Sequence, residues 1–142
     1  MARLQAVPRR FRPVLDEIRE PRLLHGDLWE GNVLVGRQGG RRYVAALIDG
    51  DRSLFGDPAF ETASGWMQSE DFARGCRLQR QEKGPGAART LIYKLLYALL
   101  DSYIQLAEYG RPEESEKHCR ISLDCLTRLA ALDGGLPQTF SE

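Results

Sequence analysis

Residues 23–35 read Leu23-Leu24-His25-Gly26-Asp27-Leu28-Trp29-Glu30-Gly31-Asn32-Val33-Leu34-Val35, and residues 47–51 follow as Leu47-Ile48-Asp49-Gly50-Asp51. An aspartate and an asparagine five positions apart, Asp27 and Asn32, can reach one reacting centre from a single tight loop. The run from Val33 to Val35 is apolar and β-branched, which is typical of a buried strand. This stretch therefore predicts a polar loop that leads directly into a strand.

A β-hairpin is predicted for residues 33–48. Residues 36–42 are rich in glycine and polar residues and have the composition of a turn, and Tyr43 to Ile48 reads as the returning strand. Pairing of two such strands brings their outer ends together, so Asn32 and Asp49 become neighbours despite their separation in sequence. Carboxylate and amide oxygens are hard ligands that suit Mg²⁺. The hairpin thus predicts a magnesium clamp made by Asn32 and Asp49 beside Asp27.

The rest of the chain has mainly helical patterns. Apolar spacing and stop signals predict four helices, at Pro8 to Glu20, from Pro58 after an Asp57 N-cap, at Ala87 to Tyr109 and at Glu113 to Leu132. Residues 69–86 are predicted as a weak helix followed by a connector at Gly84-Pro85-Gly86. The predicted fold class is α+β, mainly α-helical, with a small central β-hairpin.

Composition restricts the function classes. The 142 residues are 42% hydrophobic and 28% charged, which predicts one folded domain over residues 1–142. The formal net charge is zero, so the chain has no overall positive field that would attract nucleic acid or an anionic membrane. No uncharged apolar run is long enough to span a bilayer. The three cysteines lack C-x-x-C spacing, and the N-terminus lacks a secretory pattern. We therefore expect a cytoplasmic protein with no nucleic-acid or membrane partner.

Three linked blocks resemble a known family. His25-Gly26-Asp27-Leu28-x-x-x-Asn32, then Ile48-Asp49-x-Asp51, then Gly56-Asp57-Pro58 together resemble the aminoglycoside phosphotransferase family and its relatives, which include fructosamine, choline and homoserine kinases. Residues 23–32 are especially similar to fructosamine kinases. Residues 49–52 and 56–58 look more like the aminoglycoside branch. The family usually shows aspartate where Glu61 stands.

The resemblance implies a role for each candidate residue. Asp27 would orient the acceptor hydroxyl or accept its proton, and Asn32 and Asp49 would hold Mg²⁺ on the phosphates of ATP. The implied reaction transfers the γ-phosphate to a small-molecule hydroxyl, on an aminoglycoside or an amino-sugar-like acceptor. These roles suit phosphoryl transfer, which needs positioning and charge neutralisation rather than covalent help. Trp29 invites stacking on a substrate ring, but packing on apolar neighbours is the commoner use of such a residue.

Four neighbouring polar residues admit structural interpretations. His25 resembles a residue that braces the loop by hydrogen bonding. Asp51 either adds to metal or substrate binding or is a solvated turn residue paired with Arg52. Asp57 and Glu61 are interpreted as residues that cap a helix and complement its dipole.

The sequence also predicts that half of the enzyme is missing. A complete kinase of this kind has an N-terminal lobe with a nucleotide-covering loop and a phosphate-pairing lysine. Only 24 residues precede His25, no G-x-G-x-x-G motif follows a strand, and Lys83, Lys94 and Lys117 lie in no suitable motif. We therefore expect a C-terminal lobe of a protein-kinase-like phosphotransferase, with a catalytic loop at 23–35, the hairpin at 33–48 and a helical part at 57–135.

Two function classes follow from this expectation. The first is a phosphotransferase that is active only when a separate N-lobe polypeptide or self-association completes the cleft. The second is a non-catalytic remnant or binding module of the same fold. Metal-dependent hydrolysis by Asp27, Asn32 and Asp49 is a weaker third option, because the set contains no histidine ligand.

Overall fold

The fold is known from a computed structural model that describes residues 2–64, 74–75 and 84–132. The helices are α1 Ala2–Arg10, α2 Arg12–Leu15, α3 Pro58–Ala63, α4 Gly84–Ala107 and α5 Pro112–Leu132. The strands are β1 Arg22–Leu24, β2 Val33–Gln38, β3 Arg41–Leu47 and β4 Leu54–Gly56. The chain is α+β and mainly helical, with a small hairpin, which confirms the predicted fold class.

The described residues fall into two compact units. The helical unit contains residues 2–17 and 84–132, and the hairpin unit contains residues 18–64 and 74–75. Such a division does not decide whether the two units fold independently, so the single domain over residues 1–142 stays a prediction.

The helical unit is built on the antiparallel pair α4 and α5. Gly110 lies in the short connection with a φ of 62°, a left-handed conformation that glycine adopts without steric cost. Across the pair, His118 Nδ1 lies 3.7 Å from a carboxylate oxygen of Asp101. His118 on α5 therefore lies beside Asp101 on α4.

The core of the helical unit combines the two N-terminal helices with α4 and α5. Arg89 on α4 donates hydrogen bonds to the Val14 carbonyl, at 3.2 Å, and to the Glu17 carboxylate, at 2.9 Å. These bonds fasten the end of the N-terminal segment to α4 beside a continuous apolar cluster. That cluster contains Val7, Phe11, Val14, Ala88, Leu91, Leu95, Cys125 and Leu129.

Two helix boundaries differ from the predicted ones. The predicted helix from Pro8 to Glu20 is instead α1, which begins at Ala2, and α2, which ends at Leu15; non-helical backbone at Phe11 separates them. The predicted connector Gly84-Pro85-Gly86 is instead the first turn of α4, where proline is tolerated because no intrahelical N–H bond is lost there. Of the predicted weak helix, residues 74–75 are helical, and its other residues up to 83 lie outside the described residues, as do residues 133–135.

The hairpin unit contains two antiparallel sheets of two strands each. In the β2–β3 hairpin, Val33 pairs with Leu47 and Gln38 with Arg41, so Gly39 and Gly40 alone form the turn. Both glycines have positive φ, at 58° and 79°, as a two-residue type I′ turn requires. The hairpin is confirmed, but its turn is shorter than the predicted stretch 36–42.

The second sheet pairs β1 with β4, which the sequence did not predict. Its register joins Leu23 to Phe55 and Leu24 to Leu54. Directly after β4, the Asp57 side chain accepts a hydrogen bond of 3.0 Å from the Ala59 N–H, which confirms Asp57 as the N-cap of α3. The sheet and the cap fix where the chain before Asp27 and the chain after Asp49 run. Among the described helices, none is long and apolar enough to cross a membrane.

Cys125 lies in the core, and burial raises the pKa of its thiol. The unfolded chain therefore loses this proton first, so the free energy of unfolding should fall as pH rises above the ordinary thiol pKa of about 8.5. Urea unfolding across that range should show a shallower fall in the Cys125→Ala variant than in the wild type. Cys119 is exposed, so Cys119→Ser should retain the wild-type pH dependence. Equal slopes for Cys125→Ala and wild type would contradict the prediction.

Candidate active site

The loop after β1 folds back on itself through Asn32. Residues Glu30–Asn32 form one turn of 3₁₀ helix, and the Asn32 side chain is buried. Its Nδ2 donates a hydrogen bond of 2.9 Å to the Asp27 carbonyl. This bond closes the six-residue segment 27–32 into a tight loop, and it leaves the Asn32 Oδ1 atom as an acceptor.

The end of the hairpin places Asp49 beside Asn32. The Ile48 N–H donates a 3.0 Å hydrogen bond to the Asn32 carbonyl, which extends the β2–β3 pairing by one step. Asp49 follows with a φ of 62° and is the one non-glycine residue with positive φ among the described residues. The backbone therefore turns sharply at Asp49. The structure thus brings all three candidate residues, Asp27, Asn32 and Asp49, to one end of the hairpin.

His25 ties the two loops together. Its Nε2 lies 2.8 Å from the Ile48 carbonyl oxygen, and since a carbonyl only accepts, Nε2 carries the hydrogen. The buried Nδ1 has no hydrogen-bond partner among the described residues. This contact supports the interpretation of His25 as a brace, because its ring holds the residue that directly precedes Asp49.

Glu61 is the residue whose role the sequence interpretation missed. Its carboxylate accepts hydrogen bonds from the His25 N–H, at 2.6 Å, and from the Gly26 N–H, at 3.2 Å. The interpretation of Glu61 as a capping residue is wrong, since these partners lie 36 and 35 positions away. The family usually has an aspartate at this position, and that preference for a carboxylate was the signal that could have indicated a role beyond capping. A buried carboxylate is tolerated here because charge-assisted hydrogen bonds replace its hydration.

Arg52 faces Asp27 rather than Asp51. Its Nη1 lies 3.7 Å from Asp27 Oδ1, with side chains 39% and 22% exposed. Of the two interpretations of Asp51, a pair with Arg52 is therefore wrong, a contribution to metal or substrate binding stays a prediction, and Asp51 is exposed. A pair this exposed contributes at most about 1 kcal/mol of stability. The same two loops also approach closely at Gly26. A Cβ atom on Gly26 would overlap the Arg52 carbonyl oxygen and push the two loops apart.

The donor set fits Mg²⁺ held partly by a substrate. Mg²⁺ commonly takes one or two protein oxygens and completes its octahedron with phosphates and water. Asn32 Oδ1 and the exposed Asp49 carboxylate are such oxygens. Within the described ranges no group of three or more His, Cys, Asp or Glu side chains forms a closed cage. The arrangement therefore suits a metal bound together with a phosphate ligand.

The sequence model of the phosphotransferase enzyme family matches residues 2–90, more than half of the chain and all three candidate residues. The chain belongs to the phosphotransferase enzyme family. Kinases of this family generally use ATP and Mg²⁺. Searches of curated proteins and of solved structures give no significant match. The family to which the three sequence blocks pointed is thereby confirmed.

The Glu61 carboxylate gives a stability prediction. Glu61→Gln should lower the free energy of unfolding by about 2 kcal/mol, because the amide has one acceptor oxygen and turns an N–H donor toward the backbone donors of His25 and Gly26. Urea unfolding measures the change. Glu20→Gln is the matched control in the same unit, since the Glu20 side chain is 84% exposed and its effect should stay within about 0.5 kcal/mol. Equal changes in the free energy of unfolding for the two substitutions would contradict the role of Glu61 in holding the loop.

Proposed function

We propose that this chain is the C-terminal lobe of a protein-kinase-like phosphotransferase, which transfers the γ-phosphate of ATP to a hydroxyl of an aminoglycoside or amino-sugar-like molecule. One observation carries the proposal: Asn32 is hydrogen-bonded through its side chain to Asp27 and through its carbonyl to Ile48, next to Asp49. A residue from each of two loops thereby converges on one point. The family match supports the reaction class.

Asp27 is the proposed base. Its carboxylate would accept a hydrogen bond from the acceptor hydroxyl, direct the oxygen lone pair at the γ-phosphorus, and take the proton as the new P–O bond forms and the bond to the bridging oxygen breaks to release ADP. The Arg52 guanidinium lies 3.7 Å from this carboxylate, on the loop that follows Asp49.

Asn32 and Asp49 are the proposed Mg²⁺ ligands. The ion, when bound, would neutralise charge on the phosphate oxygens of ATP. The protein's part is to fix two oxygens at the end of the hairpin. The buried Asn32 side chain is held by its bond to Asp27, and the Asp49 backbone is held by the turn that follows Ile48.

A second polypeptide or a second copy of the chain is proposed to cover the nucleotide. No lysine occurs between residues 18 and 79, so the hairpin unit has no ammonium group to pair with phosphate oxygens. The covering lobe would supply that charge and exclude water from the site. The composition, with three cysteines in no C-x-x-C spacing, supports a cytoplasmic location.

Carboxylates on α4 and α5 are weaker candidates for recognising an amine on the acceptor. Glu114 is paired with Lys117, which lowers the pKa of that carboxyl, and Glu116 is paired with Arg120. Asp101 lies beside His118. Three of the carboxylates that could attract a cationic acceptor therefore have local partners. This favours acceptor recognition by an exposed carboxylate such as Glu30, in the loop that carries Asp27.

The affinity for nucleotide tests whether this chain alone forms a complete nucleotide-binding site. Mg·ATP titrated into the chain should bind in the millimolar range or not at all, because the hairpin unit supplies no lysine to its phosphates and the proposed covering lobe is not added. Isothermal titration calorimetry gives the affinity, with Mg²⁺ alone as the control. A dissociation constant below about 10 µM would contradict the requirement for a second lobe. No binding even with a lobe added in trans would favour the alternative, a non-catalytic remnant or binding module.

Phosphoryl transfer separates the base from the metal ligands. In the form completed by a second lobe, Asp27→Ala should lower kcat by about 10²- to 10⁴-fold with nearly unchanged Mg·ATP affinity, because the carboxylate acts on the acceptor. Asp49→Ala should instead weaken Mg·ATP binding. Asp16→Ala is the control, since it removes an exposed carboxylate of the helical unit. Wild-type turnover in Asp27→Ala would sink the assignment of the base.

A further inference from the structure

The indole of Trp29 is held against the backbone of Gly31. A Cβ atom at Gly31 would overlap the Cη2, Cζ2 and Cζ3 atoms of the Trp29 ring. The six-membered part of the indole therefore occupies the space that any other side chain at position 31 would fill. The Asn32 N–H also donates a 3.0 Å hydrogen bond to the Trp29 carbonyl. Both the ring and the backbone of Trp29 are thus fixed by the turn Glu30–Asn32.

The hairpin contains the same pairing of an aromatic ring with glycine, in a purely structural setting. A Cβ atom at Gly36 would lie 2.6 Å from Cζ of Tyr43, its direct partner across the β2–β3 ladder. There the ring covers a glycine within a sheet, which stabilises the strand pair. Trp29 has no strand partner to stabilise. Its ring is nevertheless fixed, and the residue remains 42% exposed.

Two carboxylates lie near Trp29 in sequence. Asp27 precedes it by two positions and is paired with Arg52, at 3.7 Å, whereas the exposed Glu30 follows it directly. An aromatic face attracts apolar C–H groups and cations, and nearby carboxylates add to the attraction of a cation. A ring that already packs on its own loop loses less conformational entropy when a ligand stacks on it than a ring free in solvent. These properties together match a ring-shaped polyol that carries an ammonium group.

We propose that the exposed face of Trp29 is the platform on which the acceptor sugar ring stacks, with its amine directed toward the exposed Glu30 carboxylate. This inference rests on the proposed function, and it assigns Trp29 as an acceptor-binding residue. Gly31 is the residue that lets the indole lie flat on the loop. Since Trp29 and Asp27 share that loop, a sugar stacked on the indole presents its hydroxyls to the segment that carries the base.

Tryptophan fluorescence of the chain tests the platform without any need for catalysis. The sequence has two tryptophans, so Trp66→Phe leaves Trp29 as the sole indole emitter. Titration with glucosamine should give a saturable change in emission. Titration with glucose, which lacks the ammonium group, should give the same type of change with an affinity weaker by about threefold or more.

Two pairs of variants separate ligand binding from loop packing. In the Trp66→Phe background, Gly31→Ala should shift the emission of the free protein and weaken glucosamine binding by about fivefold or more. Gly36→Ala disturbs the matching Tyr43 contact in the hairpin and should leave glucosamine affinity unchanged. Saturation-transfer NMR on glucosamine reads Trp29→Ala and Tyr43→Ala directly, and Trp29→Ala alone should lose the transfer. Circular dichroism shows which variants are folded. If one of the loop variants unfolds, Trp29→Leu is measured in its place.

The outcomes distinguish the platform from the reaction. Absence of a saturable glucosamine signal, or wild-type affinity in a folded Gly31→Ala or Trp29→Ala variant, would overturn the platform, whereas phosphoryl transfer from Mg·ATP would still support the proposed function. Glucosamine binding that depends on Trp29, in a completed enzyme that transfers no phosphate, would retain the platform and remove the kinase function. Equal loss in the Trp29 and Tyr43 variants would reduce Trp29 to a packing residue.

Discussion

The buried Glu61 carboxylate is the constraint on which the site depends. A charged group removed from water is tolerated only when hydrogen bonds replace its hydration, and here the backbone N–H groups of His25 and Gly26 provide them. Those N–H groups belong to the residues immediately before Asp27. The same bonds that satisfy the carboxylate therefore determine where the loop can lie, and they do so from α3, which Asp57 caps.

The remaining contacts form a closed circuit from this anchor. His25, held by Glu61, holds the Ile48 carbonyl through its ring, and the Ile48 N–H binds Asn32, whose side chain returns to Asp27. The last link lies within the loop itself, and the other three join that loop to α3 and to the end of the hairpin. A polar circuit of this kind provides the preorganised geometry that phosphoryl transfer requires of a protein.

Patterns close in sequence predicted much of this arrangement, and long-range pairs did not. The hairpin, the Asp57 cap and the approach of Asp49 to Asn32 follow from alternation, turn glycines and capping chemistry within a few residues. Strands β1 and β4 have three residues each, too few to show alternation, and they pair across some thirty positions. Glu61 was misread for the same reason. A glutamate in the first turn of a helix has an obvious local role, whereas its real partners are distant.

The left-handed backbone conformation at Asp49 restricts which amino acids can occupy this position. Aspartate and asparagine are the two non-glycine residues that tolerate a φ of 62° most readily, and both present an oxygen ligand three bonds from the Cα atom. Glutamate would keep the charge but fit the conformation poorly, and glycine would fit but carry no oxygen. The backbone conformation and the need for an oxygen ligand therefore favour the same two residue types, aspartate and asparagine. A lineage that abandoned catalysis could drift from aspartate to asparagine or glycine at this position without disturbing the fold.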